Sequence, residues 1–513
     1  MNVPAQRIRR VNSKKLNPDG QYVLYWMLAC RRTRWNFALQ RAAELSVELG
    51  KPLLILEPLD SDYPYASDRL HRFIVQGMAD NLRALTGKAL TYYPYIEPAP
   101  GAGKGLLAAL SVQACLVVTD DFPSLFFSRL TRSAGEHLPM RLEAVDGNGL
   151  LPMRIADRAF PTAYAFRRFL QKYLPQHLME WPDVDPLEGL KDSSTRALPG
   201  AIIERWPSAA LALQSAGGFE LDKIPVDHHV TPAQIRGGQD AARQRLTEFL
   251  DAQLDRYGED RNHPDREATS GLSSYLHFGH ISSHEIFSAI VNREGWTPHD
   301  LSLRSDGKRS GWWRMSADAE AFLDQLITWR ELGFNMCCFE PDRYRDYGSL
   351  PNWARKTLDD HRHDSRLYCY TLQQFADSQT HDPLWNAAQN QLRREGIMHN
   401  YLRMLWGKKI IEWSASPEQA LEIMIELNDR YALDGRDPNS YSGIFWCLGR
   451  YDRAWGPERE IFGKIRYMSS ENTRRKVKLT RYLEKYKYEM WFVVRGSWFV
   501  VRGSWFVVRI KLI

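Results

Sequence analysis

The first third of the chain alternates short apolar runs with stretches of helical periodicity, and no other feature constrains the fold as much. We predict strands at residues 22–27, 51–56 and 114–119, and helices at 35–49 and 68–85. Near-continuous apolar strands separated by helices are typical of an open parallel sheet covered on both faces. The sequence therefore predicts an N-terminal Rossmann-like α/β domain.

Loops that follow the strands of such a sheet are where small ligands bind. Residues 26–34 and 119–122 occupy those positions in this chain. Neither segment has the glycine spacing of a dinucleotide-binding turn. We therefore expect a small molecule at this edge of the sheet, and the residues there do not identify it.

Helical periodicity dominates from about residue 232 onward, after a segment rich in Pro, Asp and Ser that lacks a firm period. A long aperiodic segment between two periodic regions is typical of an interdomain linker. We predict a basic N-terminal arm at 1–20, an α/β domain at 21–180, a linker at 181–231, an all-helical domain at 232–487 and a repeat tail at 488–513. The expected fold class is α/β plus all-α.

The tail repeats the heptad W-F-V-V-R-G-S from Trp491 to Ser497, again from Trp498 to Ser504, and in part from Trp505. Its aromatic and β-branched residues favour strand and promote aggregation. Perfect heptads of this kind indicate a translated DNA repeat or an added, non-native segment more than a working element.

Composition limits the classes of protein to which this chain can belong. It has 44% apolar and 25% charged residues and a net charge of +6, and it has no run of about 18 apolar residues that could span a membrane. Its six cysteines show neither C-x-x-C nor a zinc spacing, which favours reduced thiols. His361 and His363 do not share a helix face and fit a solvated loop. We predict a cytoplasmic (nucleoid-associated) or nuclear protein without secretion signal, membrane contact or bound metal.

The segment from Thr380 to Met468 concentrates polar side chains, glycines and tryptophans in an order that core packing does not require. Ser416, Pro417 and Gln419 have the spacing of an N-cap, a first helical residue and a capping box. The helix that begins there leads into L-N-D-R-Y-A-L-D-G-R-D-P-N. Its Asp, Gly, Pro and Asn residues predict a turn whose side chains bond to the local backbone.

Three tryptophans of this segment are spaced so that they could form a chain. Trp406 and Trp413 are seven residues apart on an apparent helix and share a face, and Trp385 comes from the preceding segment T-H-D-P-L-W-N. Tryptophan is heavily buried on average, so core packing explains each of them singly. Because the chain holds 17 tryptophans, stacking or electron transfer stays open for a few of them.

Small hydroxyl residues and a glycine precede a predicted helix in T-S-G-L-S-S-Y-L-H-F-G, residues 269–279. Backbone N–H groups and Ser oxygens in such a turn can approach a phosphate closely, although a plain helix cap has the same pattern. The basic stretch at 464–487 is also open to two interpretations. It is either a hydrated surface or a set of phosphate contacts.

Four segments resemble the C-terminal half of the class II cyclobutane pyrimidine dimer photolyases nearly residue for residue. They are T-H-D-P-L-W-N-A-A-Q, R-M-L-W-G-K-K-I-I-E-W, L-N-D-R-Y-A-L-D-G-R-D-P-N and D-R-A-W-G-P-E-R-E-I-F-G-K-I-R-Y-M. V-D-G-N-G-L-L-P followed by A-Y-A-F-R-R-F-L is similar to the exit from the first domain in that class. The resemblance covers residues from about 20 to about 485.

The resemblance implies a blue-light-driven DNA repair enzyme, a deoxyribodipyrimidine photolyase of the carbon–carbon lyase type. FAD would lie in the helical domain, and excited reduced flavin would pass an electron to a pyrimidine dimer flipped out of UV-damaged DNA. The first domain would hold an antenna chromophore of deazaflavin or folate type, and its identity is not readable from the sequence. The expected state is a monomer.

The same resemblance assigns roles to residues that match the family's motifs. The flavin would be bound by Tyr257, Ser270, Gly271, Leu272, Ser273, Arg403, Asp434, Asp437 and Asn439. Asn428 would face flavin N5, and Trp406, Trp385 and Trp413 would conduct electrons inward to the flavin. The lesion and its DNA would contact Arg261, Asn262, Trp329, Tyr401, Met404, Trp446, Arg453, Trp455 and Arg466.

Gln325 departs from the family pattern, which has Glu at this candidate catalytic position. That carboxyl would hydrogen-bond the pyrimidine bases and help stabilise the radical being split. Gln325 can still donate and accept hydrogen bonds, but it offers neither a charge nor a transferable proton. A cryptochrome-like photoreceptor with weak or no repair activity is therefore the main alternative. A flavin-containing protein specific for another photoproduct is the third.

Overall fold

The computed structural model describes residues 2–124, 126–190, 198–215, 219–487, 490–494 and 497–501. Its N-terminal part holds strands β1 (Ile8–Arg10), β2 (Tyr22–Trp26), β3 (Leu53–Leu59), β4 (Leu90–Ile96), β5 (Ala114–Asp120) and β6 (Leu142–Val145). They form one sheet in the order β1-β6-β5-β2-β3-β4, in which β6, β5, β2, β3 and β4 run parallel. The prediction of an open parallel sheet is confirmed, and the three predicted strands are β2, β3 and β5.

The N-terminal arm differs from the expectation. Ile8–Arg10 pairs antiparallel with β6, so the sheet is mixed. Arg7 is 1% exposed, and its guanidinium donates to the carbonyls of Asp146, Gly149 and Leu150 at 3.2, 3.1 and 2.7 Å. Buried carbonyls need donors, and arginine offers five N–H groups. This basic residue therefore stabilises a loop and is not free to reach for a ligand.

Within the described residues, the sheet and the segment after it carry helices α1 (Phe37–Leu49), α2 (Asp68–Leu85), α3 (Leu106–Ser111), α4 (Phe127–His137), α5 (Ala163–Tyr173), α6 (Gly200–Arg205) and α7 (Ala210–Gln214). Helix α1 begins where Asn36 Oδ1 accepts the N–H groups of Ala38 and Leu39 at 3.0 and 3.1 Å. Apolar side chains pack on both faces of the sheet. This two-sided burial explains the near-continuous apolar strands.

The predicted linker contains α6 and α7, while its residues 191–197 and 216–218 lie outside the described residues. Ala209 and Leu213 are buried in the core that α2 shares with the C-terminal helices. Trp206 packs on the sheet, where its carbonyl accepts the Tyr93 hydroxyl. Helices of six and five residues are too short to show a helical period in the sequence. The linker therefore packs against both parts of the protein.

Helices form the rest of the chain up to residue 487. They are α8 (Gln239–Ala252), α9 (Tyr257–Asp260), α10 (Ser273–His277), α11 (Ser283–Glu294), α12 (Ala317–Leu323), α13 (Arg330–Phe339), α14 (Asn352–Asp360), α15 (Leu372–Ala376), α16 (Pro383–Glu395), α17 (Asn400–Trp413), α18 (Pro417–Tyr431), α19 (Pro438–Cys447), α20 (Ser470–Lys476) and α21 (Thr480–Lys485). A π-helical turn, Asp324–Trp329, joins α12 to α13. The predicted helical C-terminal part is confirmed.

Helix α2 belongs to both halves of the molecule. Its side chains Leu70 and Phe73 are buried in the same core as the C-terminal helices. Arg69 is 1% exposed and donates to the carbonyls of Leu392 and Tyr431 at 3.1 and 2.7 Å, in the last turns of α16 and α18. Carbonyls of a last helical turn lack partners within their helix. The charge-assisted bonds from Arg69 therefore tie the sheet to the helical part.

Gly279 lies where the two halves approach most closely, and we expect it to tolerate no side chain. Its φ is 69°, and a Cβ there would lie 1.9 Å from the carbonyl oxygen of Ala29, in the loop after β2. Gly279→Ala should lower the free energy of unfolding by about 3 kcal/mol or more, because overpacking and a left-handed backbone both cost energy. Urea unfolding followed by circular dichroism measures the loss.

Gly50→Ala is the matched control for this prediction. Gly50 also has a positive φ, of 60°, but no atom lies within 4 Å of the position that its Cβ would take. The control should lose about 1 kcal/mol, the cost of the left-handed backbone alone. Equal losses in the two variants would contradict the close approach at Gly279.

The tail forms two short antiparallel strands, β7 (Met490–Val494) and β8 (Ser497–Val501). The strand preference of the heptads is confirmed for these ten residues. The rest of the predicted tail, at 488–489, 495–496 and 502–513, lies outside the described residues. Its non-native origin stays a prediction.

Candidate functional site

The helical part encloses a cavity of about 1790 Å³. Side chains of α8, α9, α10, α17 and α19 line it, together with the π-helical turn. Ligand pockets commonly measure roughly 300–1,000 Å³. This cavity therefore has room for one unusually large ligand or for two ligands side by side.

Most of the candidate site residues meet in this cavity. Its lining includes Tyr257, Arg261, Asn262, Ser270, Gly271, Leu272, Ser273, Gln325, Trp329, Arg403, Met404, Asp434, Asp437, Asn439, Trp446, Arg453 and Arg466. Tyr401 and Trp455 line an adjoining cavity of about 580 Å³, which shares Met404, Trp446 and Arg466 with the first. Residues that are far apart in sequence thus converge on two neighbouring cavities.

The turn at Ser270 and Gly271 forms one end of the large cavity. Gly271 has a φ of 66°, which favours glycine. Arg245 Nε donates to the Ser270 carbonyl at 2.7 Å and its Nη2 donates to the Thr269 carbonyl at 3.0 Å. A guanidinium beneath the turn fixes the backbone and places positive charge near the cavity wall. Such a turn suits an anionic group.

An ion pair forms a second part of the wall. Arg403 Nη2 lies 3.0 Å from Asp434 Oδ1, and both side chains are 16% exposed. Burial works to raise the pKa of Asp434, but Arg403 and Ser273 more than offset it and hold the pKa below its ordinary value. Asp434 is therefore a carboxylate at neutral pH. The two residues come from α17 and from the turn after α18.

Asn428 differs from its expected placement, because it does not line the cavity. Its side chain is buried, with Nδ2 donating to Ser440 Oγ at 2.8 Å and to Asp429 Oδ1 at 3.2 Å. Its Oδ1 accepts from Arg403 Nη1 at 3.3 Å. Ser440 and Arg403 both line the cavity. Asn428 therefore contacts two residues of the cavity wall, Arg403 and Ser440.

Gln325 and Trp329 both project from the π-helical turn Asp324–Trp329 into the cavity. The Arg330 N–H donates to the Gln325 carbonyl, five residues back, which defines the widened turn. Isolated π-helical turns occur frequently at functional sites. Residues four apart on such a turn lie on the same face, so Gln325 and Trp329 both line the cavity.

Two cations lie close to the ring of Trp446. Lys408 Nζ is 5.3 Å from its ring centroid and the Arg466 guanidinium is 5.4 Å away. Lys408 is fully buried and donates to the Cys447 carbonyl at 2.6 Å. Burial lowers the pKa of Lys408 to about 8, despite the opposing effects of Cys447 and Asp452. The indole wall of the cavity is therefore held in place by cation–π contacts.

Arginines also enclose Trp455 at the rim. The Arg466 guanidinium lies 4.1 Å from its ring centroid and that of Arg453 lies 4.6 Å away. Asp452 pairs with Arg466 at 3.1 Å. The rim thus presents stacked aromatic and cationic groups, a combination that suits bases and phosphates.

The three tryptophans form a continuous buried chain. Trp406 and Trp385 stack with ring centroids 6.4 Å apart and planes 5° apart, and Trp385 meets Trp413 edge-on at 6.1 Å. Trp406 follows Arg403 by three positions on α17, so it lies next to the cavity wall. The order outward from the cavity is therefore Trp406, Trp385, Trp413. Trp385 bridges the two indoles that share a face of α17.

The donor set of the large cavity fits the expected flavin dinucleotide. Arg261 Nε is buried without a hydrogen-bond partner in the described part of the chain, and Arg261 lines the cavity. An unpaired buried donor is costly unless a ligand satisfies it. With the turn at Gly271 and the pair of Arg403 and Asp434, the cavity offers groups for a pyrophosphate and for a polar ring system.

A smaller cavity of about 60 Å³ lies at the carboxyl edge of the sheet, where residues 26–34 were expected to meet a ligand. Leu28, Arg31 and Phe127 are among its lining residues. Asp120 Oδ2 holds the loop by accepting the N–H groups of Leu28 and Ala29 at 2.9 and 2.7 Å. This volume accommodates a few water molecules.

Metal ligation and membrane spanning have no support in the described ranges. No group of three or more His, Cys, Asp or Glu residues is arranged there to hold a metal ion. His361 Nδ1 pairs with Asp364 Oδ2 at 2.6 Å. No described helix combines the length and the apolar character needed to cross a membrane.

Several residues that shape the site were missed in the sequence. Arg245, Ser440 and Lys408 act through tertiary contacts to the turn, to Asn428 and to Trp446, as described above. Gln389 Oε1 accepts the Trp406 indole N–H at 2.9 Å. Arginine, serine, lysine and glutamine are common on helix surfaces, so their sequence positions carry no signal. Only the facing elements reveal their roles.

The chain is similar to proteins named deoxyribodipyrimidine photo-lyase. It is 34% identical to one from Methanothermobacter thermautotrophicus, over 94% of this chain and 99% of that protein. The Oryza sativa protein is 31% identical over 94% of this chain and 90% of its own length, and the Potorous tridactylus protein 30% identical over 94% and 84%. No protein-family model matches the chain.

A solved structure supports the fold. The crystal structure of a bacterial class III photolyase from Agrobacterium tumefaciens superimposes with a TM-score of 0.60 and covers 92% of this chain and 87% of that one. The sequence identity between the two is 15%. At this identity the likeness bears on architecture alone.

Proposed function

Since the chain belongs to the deoxyribodipyrimidine photolyase family, an enzyme family of the lyase type, we propose that its helical cavity binds FAD and a flipped pyrimidine dimer side by side. The protein repairs pyrimidine dimers in DNA with light. One observation carries the assignment of the cavity. Trp329 and Trp446 line the same space as the ion pair of Arg403 and Asp434.

The flavin half of the cavity is proposed to extend from the turn at Gly271 to Arg403. Backbone N–H groups of the turn, with Arg245 behind it, would hold the pyrophosphate. Bound there, FAD in its reduced form supplies the electron that opens the dimer on illumination and recovers it afterwards. Arg403 and Asp434 would position the ring system, and Asn428 would support them through Ser440.

The lesion half is proposed to lie between Trp329 and Trp446. Stacking of a base on an aromatic side chain contributes about 1–3 kcal/mol, and a damaged pair costs less to unstack than an intact one. Lys408 and Arg466 both lie close to the Trp446 ring and help to hold it in place. Gln325 would hydrogen-bond the base edges, because it projects from the same turn as Trp329 and lines the same cavity.

The DNA duplex is proposed to dock over the cavity mouth. Arg453, Trp455 and Arg466 form a stack at this rim, and Arg261 and Asn262 also line the large cavity. Whichever part of the mouth each residue occupies, these groups would fill or flank the gap that the flipped bases leave. We further propose assignment to class II, a monomeric state, and a site of action in the nucleoid or nucleus.

Repair is tested directly with the purified protein. The reduced protein is mixed with an oligonucleotide that carries a cyclobutane dimer, and blue light should restore the absorbance of the two bases. A sample kept dark is the control. Absorption of light without recovery of base absorbance would instead indicate a photoreceptor. That alternative is not favoured, because the relatives named above are photolyases and the cavity has two aromatic walls.

The Gln325→Glu variant should repair dimers with a higher yield per absorbed photon. A carboxyl group can both accept hydrogen bonds and transfer a proton, whereas the amide can only donate and accept hydrogen bonds. We expect a rise of about twofold to tenfold, below the range of full general acid–base catalysis, because the amide already supplies part of the contact.

Yield is measured under limiting light on reduced protein, with Gln325→Ala as the matched control. The alanine variant should fall below the parent, since it loses the hydrogen bonds as well. A glutamate variant no better than the alanine variant would show that position 325 does not touch the dimer.

A further inference from the structure

The chain of tryptophans ends short of solvent, because Trp413 is 3% exposed. Tyr370 and His381 cover it, with ring centroids 5.8 and 4.9 Å from that of Trp413. Tyr368 stacks on His381 at 3.7 Å with planes 18° apart, and it is 39% exposed. An unbroken line of aromatic contacts therefore runs from the buried indole to the surface.

Tyr370 and His381 share a hydrogen bond along which a proton can move. The phenolic oxygen accepts the backbone N–H of His381 at 3.0 Å and lies 2.8 Å from His381 Nδ1. When the neutral imidazole carries its proton on Nε2, the phenol donates to Nδ1. Partial burial lowers the pKa of His381, with Lys409 lowering it further and Asp382 and Glu412 opposing. The imidazole is therefore neutral near pH 7 and can accept a proton.

Lys409 places a positive charge beside the last tryptophan. Its Nζ lies 5.3 Å from the Trp413 ring centroid, and the side chain is buried, with Glu412 at 2.6 Å only partly offsetting the charge. A second positive charge on the indole is disfavoured at this separation. The oxidised, positively charged form of Trp413 is therefore less stable than the oxidised form of a neighbour that can release a proton. Tyr370 is such a neighbour.

We propose that Tyr370 is the terminal electron donor of the tryptophan chain, and that the stack of Tyr368, His381 and Tyr370 is the port where a soluble thiol delivers electrons. The inference rests on the proposed function, in which electrons move inward from Trp413. Tyr370 gives one electron to oxidised Trp413 and its phenolic proton to His381 Nδ1. This leaves neutral Trp413, a neutral tyrosyl radical and an imidazolium.

The cycle closes with a thiolate as reductant. The thiolate gives one electron to the Tyr370 radical, the His381 imidazolium returns the proton, and two of the resulting thiyl radicals couple to a disulfide. Asp382 and Glu412 favour the transient imidazolium by charge, as their effect on the His381 pKa shows. All charges and protons are thereby restored.

Electron paramagnetic resonance identifies the radical. Flavin-loaded protein is illuminated without thiol and frozen, and we expect a tyrosyl signal. In Tyr370→Phe the tyrosyl signal should be lost and a tryptophanyl signal should replace it. Tyr347→Phe is the matched control, because the Tyr347 hydroxyl donates to Asp359 on α14, and this variant should keep the parent signal. A tryptophanyl radical in the parent, or an unchanged signal in Tyr370→Phe, would overturn the proposal.

Acidity supplies an independent readout. As pH falls through the His381 pKa, which lies below 6.5, the imidazole becomes protonated and can no longer accept the phenolic proton. The tyrosyl yield should therefore fall on the acid side, and His381→Gln should remove this step. A yield that is constant through that range would also overturn the proposal.

Repair separates this inference from the proposed function. Chemically reduced Tyr370→Phe should repair dimers as the parent does, because the port only returns electrons to the tryptophan chain. Loss of repair in the reduced parent itself would instead overturn the proposed function. If the parent repairs dimers normally but its radical stays on Trp413, the proposed electron port is overturned and the proposed function is not.

Discussion

Replacing Trp385 by phenylalanine is expected to abolish light-driven reduction of the oxidised flavin, while chemically reduced protein should still repair dimers. Trp385 is the single ring that touches both Trp406 and Trp413 among the described contacts. Phenylalanine keeps most of the apolar volume but lacks the easily oxidised indole. It also loses the hydrogen bond from the indole N–H to the Trp406 carbonyl, at 3.1 Å.

Photoreduction is followed by the loss of oxidised-flavin absorbance under blue light with thiol present. Trp312→Phe is the matched control, since Trp312 is also buried but contacts Trp313 instead of the chain. The control should photoreduce like the parent. If the Trp385 variant photoreduces at the parent rate, electrons reach the flavin by another route and the chain has only a packing role.

Removing the carboxylate in Asp434→Ala should lower the free energy of unfolding by about 3 kcal/mol, the lower end of the range for breaking a buried ion pair. Arg403 would keep only Asn428 as a described side-chain partner, so its charge would be largely uncompensated. The folded pKa of Asp434 is below 3.8. The stabilisation is therefore fully present above pH 3.8 and is lost as pH falls through the lower, folded pKa.

Urea unfolding at neutral and acid pH tests this expectation, with the flavin content of each sample recorded. The gap between parent and Asp434→Ala should be constant above about pH 4 and shrink below it. The double variant Arg403→Met with Asp434→Ala should be more stable than Asp434→Ala alone, because it lacks the unpaired guanidinium charge. If the losses in the free energy of unfolding from the two substitutions simply add in the double variant, the two residues do not interact.

The parts of the fold that could be predicted from sequence are those buried on both sides. Strands β2, β3 and β5 lie in the middle of the sheet and read as apolar runs. Strands β1 and β4 were missed because they are edge strands. Arg9 and Arg10 give β1 no apolar run, and Pro94 interrupts β4, where an edge tolerates it. Strand β6 has four residues and is too short for a pattern.

The site could be predicted as far as its residues lie in contiguous motifs. Arg403 and Asp434 belong to such motifs, and they line the cavity. The depth of Asn428, behind Arg403 and Ser440, could not be predicted, because a motif gives a residue's identity and not its depth. The small sheet-edge cleft was located through β-strand topology, but its volume depends on aromatic side chains from three separated segments. No local pattern encodes that volume.

The shared core of α2 bears on how this protein can be divided. A fragment that starts at residue 232 would lack Leu70 and Phe73, so the apolar surface that they cover would be exposed to water. The carbonyls of Leu392 and Tyr431 would lose the hydrogen bonds that Arg69 donates. Such a fragment would aggregate instead of acting as a separate photochemical module. The sheet is thus an obligatory scaffold for the catalytic half, whether or not it ever harvests light.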